Sequence, residues 1–133
     1  MSNASYFGEW LKAETRPEYV VSTQEMKELV KDDKTYLVDV RETDEVETGP
    51  ICAKKYVNIP IGVLYHSLEM PDEEFKKKFD VEKPQKSDDL VFMCLGGIHS
   101  TFAFQMAKQL GYEGSKHYLD GYFGWEEGKK SEE

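Results

Sequence analysis

An apolar run of four residues leads without a break into a glycine-containing loop and then into a helical pattern. Leu90-Val91-Phe92-Met93 has the composition of a buried strand, and Cys94-Leu95-Gly96-Gly97-Ile98-His99-Ser100 follows it directly. Beyond the loop, apolar residues recur at helical spacing, namely Phe102, Ala103, Met106, Ala107 and Leu110. A strand, a tight loop and a helix in this order form the repeating unit of parallel sheets with crossover helices.

The same alternation extends along most of the chain. Short apolar segments predict further strands at 19–21, 36–40, 56–58 and 116–119. Ser22 and Glu25 form a capping-box pattern that opens a helix, and a second helix over 42–48 is expected to end at Gly49 in the left-handed conformation. Acidic-first, basic-last residues predict a helix over 71–78, and a closing helix follows Asp120. We predict an α/β fold with a central parallel β-sheet and helices on both faces.

The chain is long enough for one domain, and its polar ends set the expected limits of that domain. Residues 19–127 are predicted to form the domain, preceded by an N-terminal extension over 1–18 and followed by a polar C-terminal tail over 128–133. The first four residues, Met1-Ser2-Asn3-Ala4, resemble the remnant of an expression tag.

Charge and hydropathy exclude several classes of partner. The formal net charge is −9, and Arg16 and Arg41 are the only arginines, so binding to nucleic acid is not expected. No apolar run approaches the roughly 20 residues that span a bilayer, and the first residues lack the features of a signal peptide. We therefore expect no membrane association and a cytoplasmic location. Cys52 and Cys94, the two cysteines, lack the paired spacing of a zinc site and are expected to be free thiols.

Cys94 is predicted to lie at the carboxyl end of a parallel strand, where open α/β sheets place their ligand sites. Gly96 and Gly97 allow a tight loop whose N–H groups turn towards the sulfur, and the helix that begins near Ser100 directs the positive end of its dipole at the same point. Both effects favour the thiolate, which is the reactive form of cysteine. The residues alone leave open a second interpretation, in which Cys94 is a buried core thiol at a strand end.

Four motifs, in the same order along the chain, resemble those of the rhodanese domain family. They are Asp39-x-Arg41 with Glu45 and Gly49, Val57-Asn58-Ile59-Pro60, Cys94-x-x-Gly97-x-x-Ser100, and Leu119-x-Gly121-x-x-x-Trp125. The stretch from Ser67 to Asp89 is most similar to small eukaryotic single-domain thiosulfate sulfurtransferases. The resemblance covers about residues 19 to 127.

The resemblance implies a sulfurtransferase that needs no cofactor and no metal. The Cys94 thiolate would take the sulfane sulfur of a donor such as thiosulfate or glutathione persulfide and hold it as a persulfide. An acceptor such as glutathione, thioredoxin or cyanide would then remove it. The loop amides of residues 95–100 could stabilise the anionic persulfide. Asp39 and Arg41 are expected to support the loop through an internal salt bridge or hydrogen bonds.

The sequence departs from the family pattern at the loop and at Pro50. The family often has a basic residue near the end of the loop, where this chain has His99 after Ile98, so a permanently charged guanidinium is missing. His99 is expected either to handle substrate or protons, or to be satisfied by backbone partners. The missing arginine also makes phosphatase chemistry improbable. Pro50 stands where the family usually has a histidine. Cys52 is expected to be a loop or core cysteine, with a resolving thiol as the second interpretation.

Two alternatives to the enzyme follow from these departures. The first is a non-catalytic binding or regulatory module that retains the fold, since a loop without arginine holds an anionic donor weakly. The second is a redox-sensing thiol, because an exposed and activated cysteine is also easily oxidised.

Overall fold

The computed structural model describes residues 3–130, which form seven α-helices, one short 3-10 helix and four strands. Met1 and Ser2 of the predicted tag remnant and residues 131–133 of the predicted tail lie outside the described residues. In chain order the elements are α1 (Asn3–Glu14), the 3-10 helix (Pro17–Tyr19), α2 (Thr23–Leu29), β1 (Thr35–Asp39), α3 (Thr43–Thr48), β2 (Tyr56–Asn58), α4 (Ile61–Glu69), α5 (Asp72–Phe79), β3 (Asp89–Met93), α6 (Ile98–Gln109), β4 (Ser115–Tyr118) and α7 (Gly121–Lys130).

The four strands form one sheet in the order β2-β1-β3-β4, and every neighbouring pair is parallel. The chain passes from β1 to β2 on one side and then crosses back to place β3 on the other side of β1. The order therefore reverses between β1 and β3, and the crevice at the carboxyl ends of these two strands is the position where open α/β sheets bind ligands. A backbone hydrogen bond from Val40 to Met93, 2.8 Å long, joins the two strand ends.

Successive residues of β1 and β3 point to opposite faces of the sheet, as the period of two of a strand requires. One buried cluster combines Val38 and Phe92 with apolar side chains of α4, α5 and α6. The cluster on the other face combines Leu37 and Val91 with Met26 of α2 and Trp125 of α7. The predicted parallel sheet with helices on both faces is confirmed.

The segment before α2 differs from its prediction as a strand. Its first part is the 3-10 helix, which begins at Pro17, and only Val20 makes a parallel bridge, to His117 at the edge of the sheet. Tyr19 turns inward instead and packs on Phe104, with ring centroids 5.0 Å apart. Proline fixes φ near the helical value, so the chain turns at Pro17 before it reaches the edge of the sheet. It therefore pairs with the edge strand at one residue only. At Ser22 the capping box forms as predicted.

Residues 3–14, within the predicted extension, form α1, which lies against α6. Trp10 stacks on Phe102 with ring centroids 4.7 Å apart, and the carbonyl oxygen of Glu14 lies 2.8 Å from Nε2 of the buried His117. Burial lowers the pKa of His117, an effect that outweighs the opposing hydrogen bond to Glu14. Among the described residues, no helix is both long and apolar enough to cross a bilayer.

Candidate active site

Cys94 follows β3 directly, and Arg41 follows β1 by two residues, so the reversal of strand order brings them together in one crevice. Cys94 is buried, with 3% of its surface exposed. It lines a cavity of about 190 Å³ together with Arg41, Glu45, Leu95, Gly96, Ile98 and His99. The buried cysteine therefore borders a small pocket.

Gly97 makes the hydrogen bond to the sulfur. Its backbone N–H donates to Cys94 Sγ over 2.9 Å. Gly97 has φ of 96°, and a Cβ at this position would overlap the carbonyl oxygen of Leu119 and lie 3.1 Å from its carbonyl carbon. The hydroxyls of Ser100 and Thr101 both donate to the carbonyl oxygen of Gly97, at 3.0 Å and 2.8 Å. Gly97 is thus held through both its N–H group, which donates to the sulfur, and its carbonyl oxygen.

The other loop residues differ in how much of their surface is exposed to solvent. Ser100 is fully buried, Leu95 is half-buried, and Ile98 and His99 are exposed at the mouth of the cavity. Gly96 differs from Gly97 in what the loop requires of it. It has no positive φ, and a Cβ added there would meet nothing within 4 Å. Only Gly97 is required by the backbone.

The first turn of α7 makes hydrogen bonds to the backbone of the loop that begins at Cys94. The N–H groups of Tyr122 and Phe123 donate to the carbonyl oxygens of Cys94 and Leu95, at 2.8 Å and 3.3 Å. These are N–H groups that a helix leaves without intrahelical partners at its start. Gly121 permits the approach because its φ is 66° and a Cβ would lie 2.9 Å from the carbonyl oxygen of Cys94. The glycine of the closing motif is therefore needed to bring α7 against the loop.

Asp39 and Arg41 form a fully buried ion pair beneath the cavity. Arg41 Nη2 lies 2.7 Å from Asp39 Oδ2, and Nε lies 3.0 Å from Oδ1, which is the paired geometry of an arginine fork on a carboxylate. Burial opposes the charge of Arg41, but the hydrogen bond and charge of Asp39 outweigh it and raise the pKa of the guanidinium. The positive charge of Arg41 is therefore matched locally by Asp39.

Three residues that sequence reasoning did not assign to the site support this pair. Tyr56 donates its hydroxyl to Asp39 Oδ2 over 2.7 Å, and burial together with the Asp39 carboxylate raises the pKa of Tyr56. Asn58 Nδ2 donates to the carbonyl oxygens of Asp39 and Arg41, both at 2.9 Å. The ring of Tyr122 lies 4.6 Å from the guanidinium carbon of Arg41. Of these three contacts, only that of Asn58 could have been expected from the sequence, because Asn58 belongs to a motif that resembles one of the family's.

Gly49 corrects a second expectation. Its φ of −137° is not left-handed, so cap conformation does not explain the glycine. A Cβ there would lie 2.6 Å from both Cε1 and Oη of Tyr122. The Tyr122 side chain therefore fits in this place only because residue 49 has no side chain.

Cys52 is an exposed free thiol in the segment between α3 and β2 and does not line the cavity of Cys94. Its role as a resolving thiol stays a prediction. Within residues 3–130, no group of three or more His, Cys, Asp or Glu side chains is arranged to hold a metal ion.

The fold and the pocket define an α/β protein with a buried cysteine at the carboxyl end of a parallel strand, whose sulfur accepts a hydrogen bond from Gly97 N. The family model of the rhodanese-like domain matches residues 22–128 of this chain. The mouse thiosulfate sulfurtransferase/rhodanese-like domain-containing protein 3 is 39% identical over 114 residues, which cover 85% of this chain and 71% of the mouse protein. The human thiosulfate:glutathione sulfurtransferase is 35% identical over 106 residues, 79% of this chain and 90% of the human protein.

The solved structure of the human single-domain sulfurtransferase TSTD1 superposes with a TM-score of 0.76 at 34% identity, covering 82% of this chain and 96% of that one. The chain belongs to the rhodanese-like domain family. It is an enzyme of the sulfurtransferase class, as the sequence motifs predict.

Proposed function

We propose that Cys94 carries sulfur between a small donor and a thiol acceptor as a covalent persulfide. The observation that supports this most directly is the hydrogen bond from Gly97 N to Cys94 Sγ, 2.9 Å long, beside the cavity that Cys94 lines. A donated N–H at this distance stabilises negative charge on sulfur, whether it belongs to the thiolate or to the terminal atom of a persulfide held nearby.

In the first half-reaction the Cys94 thiolate attacks the outer sulfur of the donor. With thiosulfate, the new S–S bond forms as the bond to the sulfonyl sulfur breaks, and sulfite leaves with that electron pair. With glutathione persulfide, the glutathione thiolate leaves instead. In the second half-reaction an acceptor thiolate, from glutathione or a protein such as thioredoxin, attacks the outer sulfur and regenerates the Cys94 thiolate. Cyanide would accept the sulfur in the same way.

The charges of the site bear on the choice of donor. Arg41 is neutralised by Asp39, and Glu45 lines the same cavity. Thiosulfate is a dianion, so this lining holds it less firmly than an uncompensated arginine would. The charges of thiosulfate must enter the cavity with its outer sulfur, whereas the carboxylates of glutathione persulfide lie far from its outer sulfur. We propose that thiosulfate and glutathione persulfide are both donors, and that glutathione persulfide transfers sulfur to Cys94 faster.

Mass spectrometry of the intact protein and of its tryptic peptides tests this function. Incubation with either donor is expected to add the mass of one sulfur atom to the peptide that carries Cys94, and subsequent glutathione is expected to remove it. Cys94→Ser should show no gain, and Cys52→Ser is the matched control that should retain it. A wild-type protein that gains no sulfur at Cys94 from either donor would refute the proposal.

A further inference from the structure

A second cavity adjoins the pocket of Cys94. Its volume is about 340 Å³, and it lies between α3 and the start of α7. Leu95 and Glu45 line both cavities, so a ligand whose sulfur is at Cys94 can extend into the second cavity past these two side chains.

The aromatic wall of the second cavity is held in place from several directions. The Tyr122 ring lies against the backbone at Gly49 and under the guanidinium of Arg41, and its hydroxyl donates to Glu126 Oε1 over 2.9 Å. Phe123, the next residue, leaves 60% of its surface exposed at the rim. Tyr122 is thus fixed in position, and Phe123 adds exposed apolar surface beside it.

The charged residues on this cavity are acidic. Asp44 and Glu45 of α3 line it, and no lysine or arginine is among its described lining residues. Arg41, the nearest cation described above, already pairs with Asp39 over 2.7 Å. A ligand in this cavity therefore meets negative potential together with apolar surface, which is unfavourable for an anion and favourable for a neutral or cationic group.

We propose that this second cavity binds the carbon portion of the thiol or persulfide that exchanges sulfur with Cys94, and that it selects apolar, neutral or cationic groups over anionic ones. The inference rests on the proposed function for the identity of the reaction. It adds the chemical class of the substrate: a small thiol compound whose substituent packs on Phe123 and carries no negative charge near Asp44. Glutathione meets this requirement only with both of its carboxylates directed away from Asp44 and Glu45.

Alkylation of Cys94 tests the cavity without any sulfur transfer. Three reagents deliver the same carbon electrophile with different substituents: iodoacetamide, N-benzyl iodoacetamide and iodoacetate. The adduct is measured on the tryptic peptide that carries Cys94, and each rate is divided by the rate with iodoacetamide, which removes differences in thiol reactivity between variants.

Phe123→Ala should lower the relative rate of the benzyl reagent about fivefold, because part of a phenyl ring loses its apolar contact. Phe102→Ala, an exposed phenylalanine on α6 that lines neither cavity, should leave it unchanged. Asp44→Asn should raise the relative rate of iodoacetate about threefold, the size expected for one solvent-exposed charge. Glu47→Gln, on the same helix but off the cavity, is the matched control. Equal ratios in wild type, Phe123→Ala and Asp44→Asn would overturn the inference.

Sulfur transfer from the Cys94 persulfide provides the second arm, with 2-mercaptoethylamine, 2-mercaptoethanol and 3-mercaptopropionate as cationic, neutral and anionic acceptors. Comparing each thiol between wild type and Asp44→Asn cancels its intrinsic reactivity, and the anionic acceptor is expected to gain about threefold in the variant. If the persulfide forms but the variants transfer it with wild-type selectivity, the cavity inference fails and the proposed function stands. If no persulfide forms, the proposed function fails, and the alkylation ratios still decide whether the cavity selects by charge and apolar contact.

Discussion

Two adjacent glycines in the loop that follows Cys94 have different structural requirements, and a pair of alanine substitutions measures the difference. Gly97 has φ of 96° and no room for a Cβ against Leu119, whereas Gly96 has neither restriction. We predict that Gly97→Ala destabilises the protein strongly and that Gly96→Ala does not.

The magnitude follows from two contributions at position 97. The left-handed conformation costs a residue with a Cβ about 1–2 kcal/mol. The new methyl also overlaps a backbone carbonyl, and forced overlap in a packed region costs about 1–3 kcal/mol more. The free energy of unfolding of Gly97→Ala should therefore fall by about 2–5 kcal/mol, a large part of the stability of a typical domain. Gly96→Ala, which meets open space, should stay within about 0.5 kcal/mol of wild type.

Urea denaturation followed by tryptophan fluorescence measures both variants against wild type. The midpoint of Gly97→Ala should move to lower urea at an unchanged slope, since the surface exposed on unfolding is the same. Equal midpoints for the two variants would refute the argument, because it would mean that neither the left-handed φ nor the contact with Leu119 constrains position 97.

Three further predictions concern buried polar groups near the site. Arg41→Met leaves the Asp39 carboxylate buried without its cation and should lower the free energy of unfolding by about 3–5 kcal/mol in urea denaturation; a loss under about 1 kcal/mol would contradict the buried pair. Thr101→Val removes the hydroxyl that donates to the Gly97 carbonyl and should cost about 1 kcal/mol, which Thr101→Ser should largely restore. Because the folded-state pKa of His117 lies below its unfolded value of 6.5, its unfolded form binds the proton more readily, so the free energy of unfolding should decline as the pH falls through 6.5. His117→Gln should show a smaller decline than wild type over the same range, and parallel curves would contradict this assignment.

The parallel sheet could be predicted because its signals are local. The apolar run at 90–93 and the short segment at 56–58 are β3 and β2 almost residue for residue, and the Ser22 capping box opens α2. The buried strands contain few polar residues, and turn residues bound them, so pattern and structure agree.

The misplaced features depend on contacts between residues far apart in the chain. Position 49 requires a glycine because the Tyr122 side chain occupies the space that a Cβ would fill. Tyr19 does not continue the predicted strand because it packs on Phe104. Neither partner is visible from the local sequence. The position of α1 likewise depends on Trp10 meeting Phe102.

The candidate site likewise has residues that the sequence could locate and contacts that it could not. Cys94 and Arg41 could be located because both follow strands that end at the same edge of the sheet. The Tyr56 hydroxyl on Asp39, and the amides of Tyr122 and Phe123 on the loop carbonyls, could not, since they arrive from other elements through packing. The second cavity has no sequence signal, because it is formed jointly by α3 and α7.

The closure of the Cys94 loop by α7 has a consequence for protein synthesis. A growing chain that has reached residue 110 already contains β1, β3 and Cys94, but the amides that bond to the carbonyls of Cys94 and Leu95 belong to Tyr122 and Phe123. Because domains are made from the N-terminus onward, the loop reaches its final form only after these residues have left the ribosome. A nascent chain therefore carries the thiol before it carries the residues that complete the loop around it.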